Sequence, residues 1–536
     1  MEVFRYFLER SILFLLSGLV AFAGCGDAAN ILMNAILGKG SHYYITEAIG
    51  EQLVNKGHNV THLVSNAFYK QASSRPSADI FNYEVFETAV PSEVIYQLYA
   101  NLSKVAFLSG LNSQNIEIES KPIWHRYLDC QAVLNNQELL ERIRKANYSI
   151  IIYDMLWPCL PIISKMLDIP LVGIISFPNP CMETEIAGSN VNPSYVPCTG
   201  IGFTNKMTFV QRFVNTFLYA FVPWLTTDKY VWYNNLLHEH YSNDSVELLD
   251  VVRHTELFLA NSDFVADYPC ALGPNVVLVG GLTSKPPKKL PPSLEDFVMS
   301  SGDHGVIVCS FGSFLSSQDL FEANSKLSIF ISAFARLPQN VIMQLGHEPP
   351  FPLPGNVKIL PWLPQNDLLG HPKTKAFVFP GGNNGFYEAI YHGVPTVVMP
   401  LRGDQFDVAA RVTSTGIGVV VDKLTVTEDS LQHAIHQVTS TDKFANKAKK
   451  LSSIFRDRPM PPAQRAAFWV DHVIKHGGQY LQSSVHDLSR MQHILLDVLT
   501  VMFIMFLVLG VLAYKCSSRV LWFLYRCVTR KHLKNS

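Results

Sequence analysis

Short apolar strands alternate with helix-like segments through most of this chain of 536 residues. Near the start, one strand reads "ANILMNAILGKG", a segment with helical spacing reads "SHYYITEAIGEQLVNKG", and a second strand reads "HNVTHLVS". The alternation resumes at "GVIVCSFGS" and continues through "NVIMQLG", "VKILPWL", "AFVFP" and "TVVMP". Because a strand, a helix and a second strand form the unit of a parallel sheet, this pattern predicts an α/β fold.

A change in composition divides the pattern into two halves. Residues 283–293, "TSKPPKKLPPS", are rich in proline and lysine, which is typical of a stiff, solvated linker. We therefore predict an N-terminal domain over residues 24–282 and a C-terminal domain over residues 294–478, two Rossmann-like domains that face each other across a cleft. Neither half contains GxGxxG, so a dinucleotide cofactor is not expected.

The first residues have the composition of a targeting segment. Arg5 and Arg10 precede the apolar run "SILFLLSGLVAFAG", in which small residues at 21 and 23 form a cleavage pattern. This arrangement predicts a signal peptide over residues 1–23, and the alternative is an anchor helix that is retained.

A second apolar run, at residues 494–513, is long enough to cross a bilayer as a transmembrane helix. The tail of residues 514–536 has lysines and arginines and no acidic residue, so the positive-inside rule places this basic tail in the cytosol. We expect a single-pass type I protein of the endoplasmic reticulum membrane, with both domains in the lumen. Four glycosylation sequons agree with a lumenal body: Asn59, Asn101, Asn147 and Asn243.

Charge and cysteine content exclude some kinds of partner. The formal net charge of -1 argues against a nucleic-acid partner, because such proteins normally have a basic surplus. Apart from Cys25 beside the predicted cleavage site and two cysteines in the tail, six of the nine cysteines lie in the predicted lumenal domains and are able to form disulfides, but no spacing identifies the pairs. The absence of CxxC gives zinc and thiol-redox roles little support.

The loop "FPGGNNG" follows one predicted strand and enters a predicted helix. Gly381 and Gly382 let main-chain N–H groups approach a ligand, and the positive end of a helix favours an anion. Ser313, in the "SFGS" turn, adds a hydroxyl and an amide at the same sheet edge, whereas Pro380 offers neither a charge nor an N–H. Taken alone, the loop is either a phosphate site or a plain strand-to-helix turn.

Side chains around this loop match the parts of a nucleotide and a sugar. Trp362 presents a flat apolar face, Gln365 is able to pair with the polar edge of a base, and Glu388 is able to accept from ribose hydroxyls. Asp404 and Gln405, on a second strand-end loop, combine the acceptor and donor groups that vicinal sugar hydroxyls need. Taken together with the glycine loop, these residues match the parts of a ligand in order: a nucleotide, a diphosphate and a hexose.

The first half contains a candidate base. His42 lies in the first turn of a predicted helix, where the positive helix end favours a neutral imidazole. Asp154 ends a later strand at the same sheet edge and is able to hold that imidazole in one tautomer. The alternative for His42 is a solvated surface histidine.

The run from "PWLPQNDLLGHP" through "FVFPGGNNGFYEAIYHGVPTVVMPLRGDQFDVAARV" closely resembles the signature of UDP-glycosyltransferases. It is most similar to the animal membrane-bound branch, which includes the UDP-glucuronosyltransferases and the ceramide galactosyltransferase, and the likeness covers nearly the whole chain. The resemblance implies a GT-B fold, with a UDP-sugar in the C-terminal domain and a lipophilic acceptor or lipid in the N-terminal domain.

The resemblance also implies a role for each site residue. Trp362 would stack on uracil, Gln365 would contact the base or ribose, and Glu388 would bind the ribose. The diphosphate and sugar would be held by Ser313, Gly381, Gly382, Asn384, Asp404 and Gln405. His42 and Asp154 would form a catalytic dyad that activates an acceptor hydroxyl, so the anomeric configuration would invert. The UDP-sugar would be a co-substrate, and without a DxD motif neither a metal ion nor another cofactor is expected.

Two departures from the family pattern lie in the phosphate region. Relatives usually have a histidine where this chain has Pro380, and commonly a basic residue near Gln344. Arg402, in a loop where relatives often have an apolar residue, either replaces some of that charge or is a surface arginine. Two hypotheses follow: an active transferase, or a degenerate member that binds acceptors or partner subunits. The acceptor, the sugar and any homo- or hetero-oligomeric state are left open, and a hydrolase is excluded because no GxSxG is present.

Overall fold

The computed structural model describes residues 28–34, 40–107, 113–241, 245–312, 317–322 and 326–532. Three of the sequence predictions lie outside these ranges: the signal peptide of residues 1–23, the phosphate-loop residue Ser313, and the sequon at Asn243.

The first sheet has seven strands in the order β3-β2-β1-β4-β5-β6-β7, and each neighbouring pair is parallel. These strands are β1 (Asn30–Asn34), β2 (Asn59–Ser65), β3 (Asn82–Phe86), β4 (Ile150–Asp154), β5 (Leu171–Ile175), β6 (Leu257–Ala260) and β7 (Val276–Leu278). The centre of the sheet is rich in isoleucine and valine, since both of its faces are covered.

The second sheet has six strands in the order β10-β9-β8-β11-β12-β13, again all parallel. These strands are β8 (Val306–Cys309), β9 (Asn340–Gln344), β10 (Val357–Leu360), β11 (Thr374–Phe379), β12 (Thr396–Val398) and β13 (Gly418–Val420). The two parallel sheets that the alternating pattern predicts are therefore present.

Helices cover both faces of each sheet. Those of the first half are α1 (Gly40–Asn55), α2 (Asn66–Ser73), α3 (Ser92–Val105), α4 (Ser113–Asn135), α5 (Gln137–Lys145), α6 (Cys159–Leu167), α7 (Pro180–Ala187), α8 (Phe209–His240) and α9 (Leu248–Arg253). Those of the second half are α10 (Pro292–Met299), α11 (Ser317–Glu322), α12 (Leu327–Ala335), α13 (Gln365–Leu369), α14 (Asn383–His392), α15 (Gln405–Thr415), α16 (Glu428–Thr439), α17 (Asp442–Arg456) and α18 (Pro462–His476).

Each sheet has a point where the strand order reverses. In the first sheet, β1 has β2 on one side and β4 on the other; in the second sheet, β8 has β9 on one side and β11 on the other. Open parallel sheets bind ligands at such points, beyond the carboxyl ends of the strands. The predicted dyad follows β1 and ends β4, and the glycine loop follows β11, so both lie at these positions.

Helix α18 returns to the first sheet after the chain has completed the second. Ala466, Val470 and Val473 share a buried core with Ile31 of β1 and Ile45 of α1. Residues within the predicted C-terminal domain therefore complete the hydrophobic core of the first sheet. This return links the two halves through packing as well as through the linker.

Two disulfides fasten helices of the first half. Cys130 of α4 pairs with Cys159 of α6, and Cys181 of α7 pairs with Cys198 in the following loop. Disulfides persist in oxidising compartments, which agrees with the predicted lumenal location of these residues.

A separate helical unit begins after Gln482. It consists of α19 (Arg490–His493) and α20 (Leu496–His532). Within the part of the chain that the structure describes, only the segment Leu496–Arg526 is long and apolar enough to cross a membrane. The predicted C-terminal membrane helix is thus present as a helix, and it extends into the basic tail.

Candidate active site

His42 and Asp154 are in direct contact. The Nδ1 of His42 lies 2.6 Å from Oδ2 of Asp154, although 112 residues separate the two positions. The contact forms because α1 follows β1 and Asp154 ends β4, the strand beside β1. Burial alone would raise the pKa of the Asp154 carboxyl, but the charge of His42 and hydrogen bonds from His42 and Ser176 lower it below its usual value.

Asp154 is fixed by three groups besides His42. The Ser176 hydroxyl donates to Oδ2 over 2.5 Å, and the Leu156 N–H donates to Oδ1 over 2.8 Å. Its own N–H donates to the side-chain oxygen of Asn34, at the end of β1, over 2.9 Å. An ionised carboxylate only accepts, so Nδ1 of His42 donates this hydrogen bond and Nε2 is the ring nitrogen left to face a ligand. The pair therefore has the arrangement of a base with its orienting group.

A cavity of about 830 Å³ lies between the two halves, within the size range of small-ligand sites. Ser41, the neighbour of His42, belongs to its lining. Most of the residues predicted to bind a donor line it as well: Trp362, Gln365, Gly382, Asn384, Glu388 and Gln405.

One end of the cavity, where the sequence predicts the base and ribose, is organised around Glu388. This carboxylate accepts from Gln365 Nε2 over 2.7 Å and from the Thr283 hydroxyl over 2.9 Å. Burial raises the pKa of Glu388 to about 6, although both hydrogen bonds oppose that rise. Trp362 is 53% exposed, and its side chain lines the cavity. Gln365 and Glu388 thus act as one fixed unit beside an aromatic platform.

The glycine loop begins the helix α14. Gly381 has φ +91°, and an added Cβ would lie 3.0 Å from the main-chain oxygen of Gln405, so the missing side chain lets two loops pack closely. Gly382 differs, because an added Cβ there would meet no atom within 4 Å and the residue lines the cavity. Pro380 and Gln344 also line the cavity. The side-chain oxygen of Gln344 accepts from the Ser310 hydroxyl over 2.8 Å, which leaves its NH₂ group as a neutral donor.

The two asparagines that open α14 contact the first half. Asn384 Nδ2 donates to the main-chain oxygen of Ser41 over 3.2 Å, next to His42. Its oxygen accepts from Asn261, a fully buried residue that follows β6. Asn383 Nδ2 donates to the main-chain oxygen of Asn261 over 2.9 Å. The predicted diphosphate loop and the predicted base are thereby held in one arrangement.

The predicted sugar loop precedes α15. The side-chain oxygen of Gln405 accepts from the N–H groups of Leu401 and Arg402 over 2.8 and 3.1 Å, so its NH₂ is the group that remains for a ligand. Burial, reinforced by the negative charge of Asp407, raises the pKa of Asp404 to about 7, while His42 opposes that rise. Arg402 lines the cavity on the same loop.

A loop of the first half holds the end of this sugar loop. The N–H groups of Gly200 and Gly202 donate to the two oxygens of Asp407 over 2.6 and 3.0 Å. Both glycines have positive φ angles, which turn successive N–H groups toward one anion. Asp407 is therefore bound by the half of the chain that contains His42.

Among the described residues, no group of three or more His, Cys, Asp or Glu side chains is arranged to hold a metal ion. Sequence reasoning missed four residues of the site: Asn34, Ser176, Asn261 and Thr283. Asn34, Ser176 and Asn261 lie at the carboxyl ends of β1, β5 and β6, so the strand-end rule that identified Asp154 would also have identified them.

Comparison with known proteins agrees with this geometry. The family model described as "UDP-glucoronosyl and UDP-glucosyl transferase" matches residues 31–533. UDP-glucuronosyltransferase 2C1 of Oryctolagus cuniculus is 35% identical over 491 residues, which are 89% of this chain and 95% of the relative. UDP-glucuronosyltransferase 2B7 of Homo sapiens is 33% identical over 492 residues, 90% of this chain and 92% of the relative.

Solved glycosyltransferases share the fold at low sequence identity. The glycotransferase of kitacinnamycin matches with a TM-score of 0.57 and 20% identity, over 83% of this chain and all but 1% of its own. The calicheamicin glycosyltransferase CalG4 matches with a TM-score of 0.53 and 17% identity, over 84% and 99% of the two chains. These likenesses confirm the predicted GT-B fold.

The relatives support the first of the two hypotheses about activity. They are named as transferases, and none of these findings supports a degenerate binding partner. The chain is an enzyme that transfers a glycosyl group from a UDP-sugar. By its family model and by its relatives over nine-tenths of its length, this chain belongs to the UDP-glucuronosyl and UDP-glucosyl transferase family.

Proposed function

We propose that this protein transfers a glucuronosyl group from UDP-glucuronate to a hydroxyl of a small lipophilic acceptor, with inversion at the anomeric carbon. The observation that carries the mechanism is the 2.6 Å contact between His42 and Asp154 beside the cavity lined by the donor residues. The choice of sugar is supported by the names of the relatives and by Arg402, a cation on the sugar loop that favours an anionic sugar.

His42 acts as the general base. Its Nε2 takes the proton of the acceptor hydroxyl while Nδ1–H remains bonded to Asp154. The acceptor oxygen attacks the anomeric carbon, the bond from that carbon to the diphosphate oxygen breaks, and UDP leaves with the electron pair. Attack from the face opposite the diphosphate gives a β-glycoside from an α-linked donor. Asp154 stabilises the imidazolium that forms and stays ionised.

The donor is held by the second half of the chain. Trp362 stacks on uracil, while Gln365 and Glu388 bind the ribose. Main-chain N–H groups at Gly381 and Gly382 and the N-terminus of α14 stabilise the charge that develops on the leaving diphosphate. Gln344 and Arg402 add one neutral and one cationic donor in place of the missing histidine. Ser313 contributes its hydroxyl and amide to the diphosphate, and Asp404 with Gln405 binds the sugar hydroxyls.

The acceptor occupies the half that contains His42. Phe177 supports this assignment, because its ring meets the His42 ring edge to face with centroids 6.4 Å apart. An apolar ring beside the base favours a phenol, a steroid or a lipid over a strongly polar acceptor. The UDP-sugar is a co-substrate, and the residues proposed here require neither a metal ion nor a resident cofactor.

We place the protein in the endoplasmic reticulum membrane, with one C-terminal span and both sheets in the lumen. The apolar helix of Leu496–Arg526 supports the span, and the two disulfides support an oxidising compartment. The basic residues after 514 support a cytosolic tail.

A donor and acceptor panel tests this proposal. Membranes that contain the full chain are given UDP-glucuronate, UDP-glucose or UDP-galactose together with a phenol, a steroid or ceramide, and UDP release is measured. We expect release to require an acceptor and to be fastest with UDP-glucuronate. Faster release with a neutral sugar would contradict the choice of sugar, and no release with any pair would contradict the activity.

A further inference from the structure

A tyrosine of the first half reaches the aromatic platform of the second. Tyr44 lies on α1, two residues after His42, and lines the cavity together with Trp362. The rings of Tyr44 and Trp362 meet in a T-shaped arrangement, with centroids 6.1 Å apart and planes at 77°. Aromatic pairs prefer this geometry. The contact therefore links the helix of the candidate base to the surface on which a nucleobase would stack.

Tyr44 is held in place by a chain of charged and polar groups. The Arg75 guanidinium carbon lies 4.3 Å from the centroid of the Tyr44 ring, within the range of a cation–π contact. Arg75 donates through Nε and Nη2 to the two oxygens of Glu47, each over 2.6 Å. The Ser77 hydroxyl donates to the same carboxylate. Because paired hydrogen bonds fix the plane of the guanidinium, Arg75 restrains the Tyr44 ring that it covers.

The platform remains open beside this contact. Trp362 is still 53% exposed with Tyr44 against it. A T-shaped pair leaves no space for a third ring between its members, so a base would lie on the uncovered part of the indole. Tyr44 would then border that base at its edge, and Arg75 and Glu47, which also line the cavity, would lie behind Tyr44.

We propose that Tyr44 is a positioning residue for the donor and forms the side wall of the base subsite. This inference rests on the proposed function, because it takes Trp362 as the platform for uracil. One turn of α1 contains both Tyr44 and His42, so a bound uracil favours the position of α1 in which His42 faces the sugar. Binding of the donor and placement of the general base His42 are coupled in this way. The wall is supplied by the half that binds the acceptor.

Equilibrium binding of UDP to the full-length protein in detergent, measured by calorimetry, tests the side wall. We expect Trp362→Ala to weaken binding by roughly 10- to 100-fold, the range for base stacking. Tyr44→Ala should weaken it by about 3- to 10-fold, the range for an aromatic pair, and Tyr44→Phe by less than about twofold. Arg75→Met should weaken it in the same direction by a smaller factor. Tyr69→Ala, at an exposed tyrosine that does not line the cavity, serves as the control and should change nothing.

Kinetics separate positioning from general stability. For Tyr44→Ala we expect a higher KM for the UDP-sugar, a lower kcat and an unchanged KM for the acceptor, with a thermal midpoint like that of Tyr69→Ala. If Trp362→Ala weakens UDP binding but Tyr44→Ala leaves it unchanged or tightens it, the role proposed for Tyr44 is wrong, while the proposed donor site is still supported. If Trp362→Ala leaves UDP binding unchanged, the platform and the side wall are both wrong.

Discussion

At the scale of single residues, Asp154 orients the His42 ring through the 2.6 Å contact with Nδ1. The carboxylate is buried and accepts from His42, Ser176 and the Leu156 N–H. A buried carboxylate left with no partner costs several kcal/mol, but without His42 the Asp154 oxygens would still accept two hydrogen bonds. Removal of the His42 side chain should therefore leave a folded protein, since Ser176 and Leu156 still hold Asp154.

Pro380 is the residue at which a single change is expected to improve the enzyme. It lines the cavity at the start of the glycine loop and has no group able to donate to a phosphate. A histidine there would add one charge-assisted bond to the leaving diphosphate, so Pro380→His should raise kcat or tighten UDP binding by about tenfold. Steady-state kinetics and UDP calorimetry measure both effects. If neither kcat nor UDP affinity changes in a folded variant, the site has adapted to proline, and the missing charge does not weaken UDP binding or slow transfer.

We expect Asp404 to give donor binding a pH dependence. Burial and the charge of Asp407 raise its pKa to about 7, so the carboxyl takes up a proton as the pH falls through that value. The protonated form has lost acceptor capacity toward sugar hydroxyls. We expect the KM for the UDP-sugar to rise as the pH falls from 8 to 6, and the KM of Asp404→Asn to be nearly flat over that interval. An equal pH dependence in both proteins would show that another group is responsible.

At the scale of elements, the contact between α15 and the loop around Gly200 sets the position of the sugar loop. Asp407 accepts from Gly200 and Gly202, and it follows Gln405 by two residues. Asp407→Asn replaces one acceptor oxygen with an NH₂ that faces an N–H donor. We expect the KM for the UDP-sugar to rise several-fold, by roughly 1 kcal/mol of lost binding, with a smaller effect on the acceptor.

Gly202 tests the same contact from the other side. It has φ +64°, and an added Cβ would lie 3.3 Å from the main-chain oxygen of Phe406. Gly202→Ala should raise the KM for the UDP-sugar and add little to Asp407→Asn in the double variant, because both act on one contact. Gly302→Ala is the matched control, since Gly302 also has positive φ but no atom within 4 Å of an added Cβ. Additive effects of Gly202→Ala and Asp407→Asn would show that the two residues act separately.

The alternating pattern allowed both sheets and the meeting of His42 with Asp154 to be predicted, because chain order fixes which strand ends are neighbours. The contact of Tyr44 with Trp362 and that of Asn261 with Asn384 could not be predicted in this way. Trp362 and Asn384 belong to the other half of the chain, and no local pattern states how the halves close. The disulfide pairs could not be predicted from the sequence either, because pairing depends on the packing of α4, α6 and α7 rather than on the spacing of the cysteines.

At the scale of the whole molecule, the two halves meet through a buried network as well as through the cavity. Asp267 of the first half forms an ion pair with Arg411 of α15 and accepts from the Tyr387 hydroxyl of α14. Burial lowers the pKa of Arg411 to about 9, which leaves it charged at neutral pH. Breaking a buried pair leaves one charge uncompensated, so this network favours one fixed relation between the two sheets.

Glycosylation tests the proposed lumenal location. Asn147 is exposed in the turn between α5 and β4, where a glycosyl transferase can reach it. Asn101 lies within α3, and Ser103 of its sequon is fully buried. We expect glycosidase treatment to shift the protein on a gel, Asn147→Gln to reduce that shift, and Asn101→Gln to leave it unchanged. A protein without any such shift would contradict the lumenal location.

The rate of transfer in His42→Ala, measured alongside UDP affinity, tests the central claim most directly. General-base catalysis contributes about 10²- to 10⁴-fold, so kcat with UDP-glucuronate and a phenol should fall by that factor. The dissociation constant of UDP should stay within about twofold, because His42 does not line the donor cavity. Asp154→Asn should lower kcat in the same way. A His42→Ala protein that binds UDP normally and transfers at the wild-type rate would contradict the account.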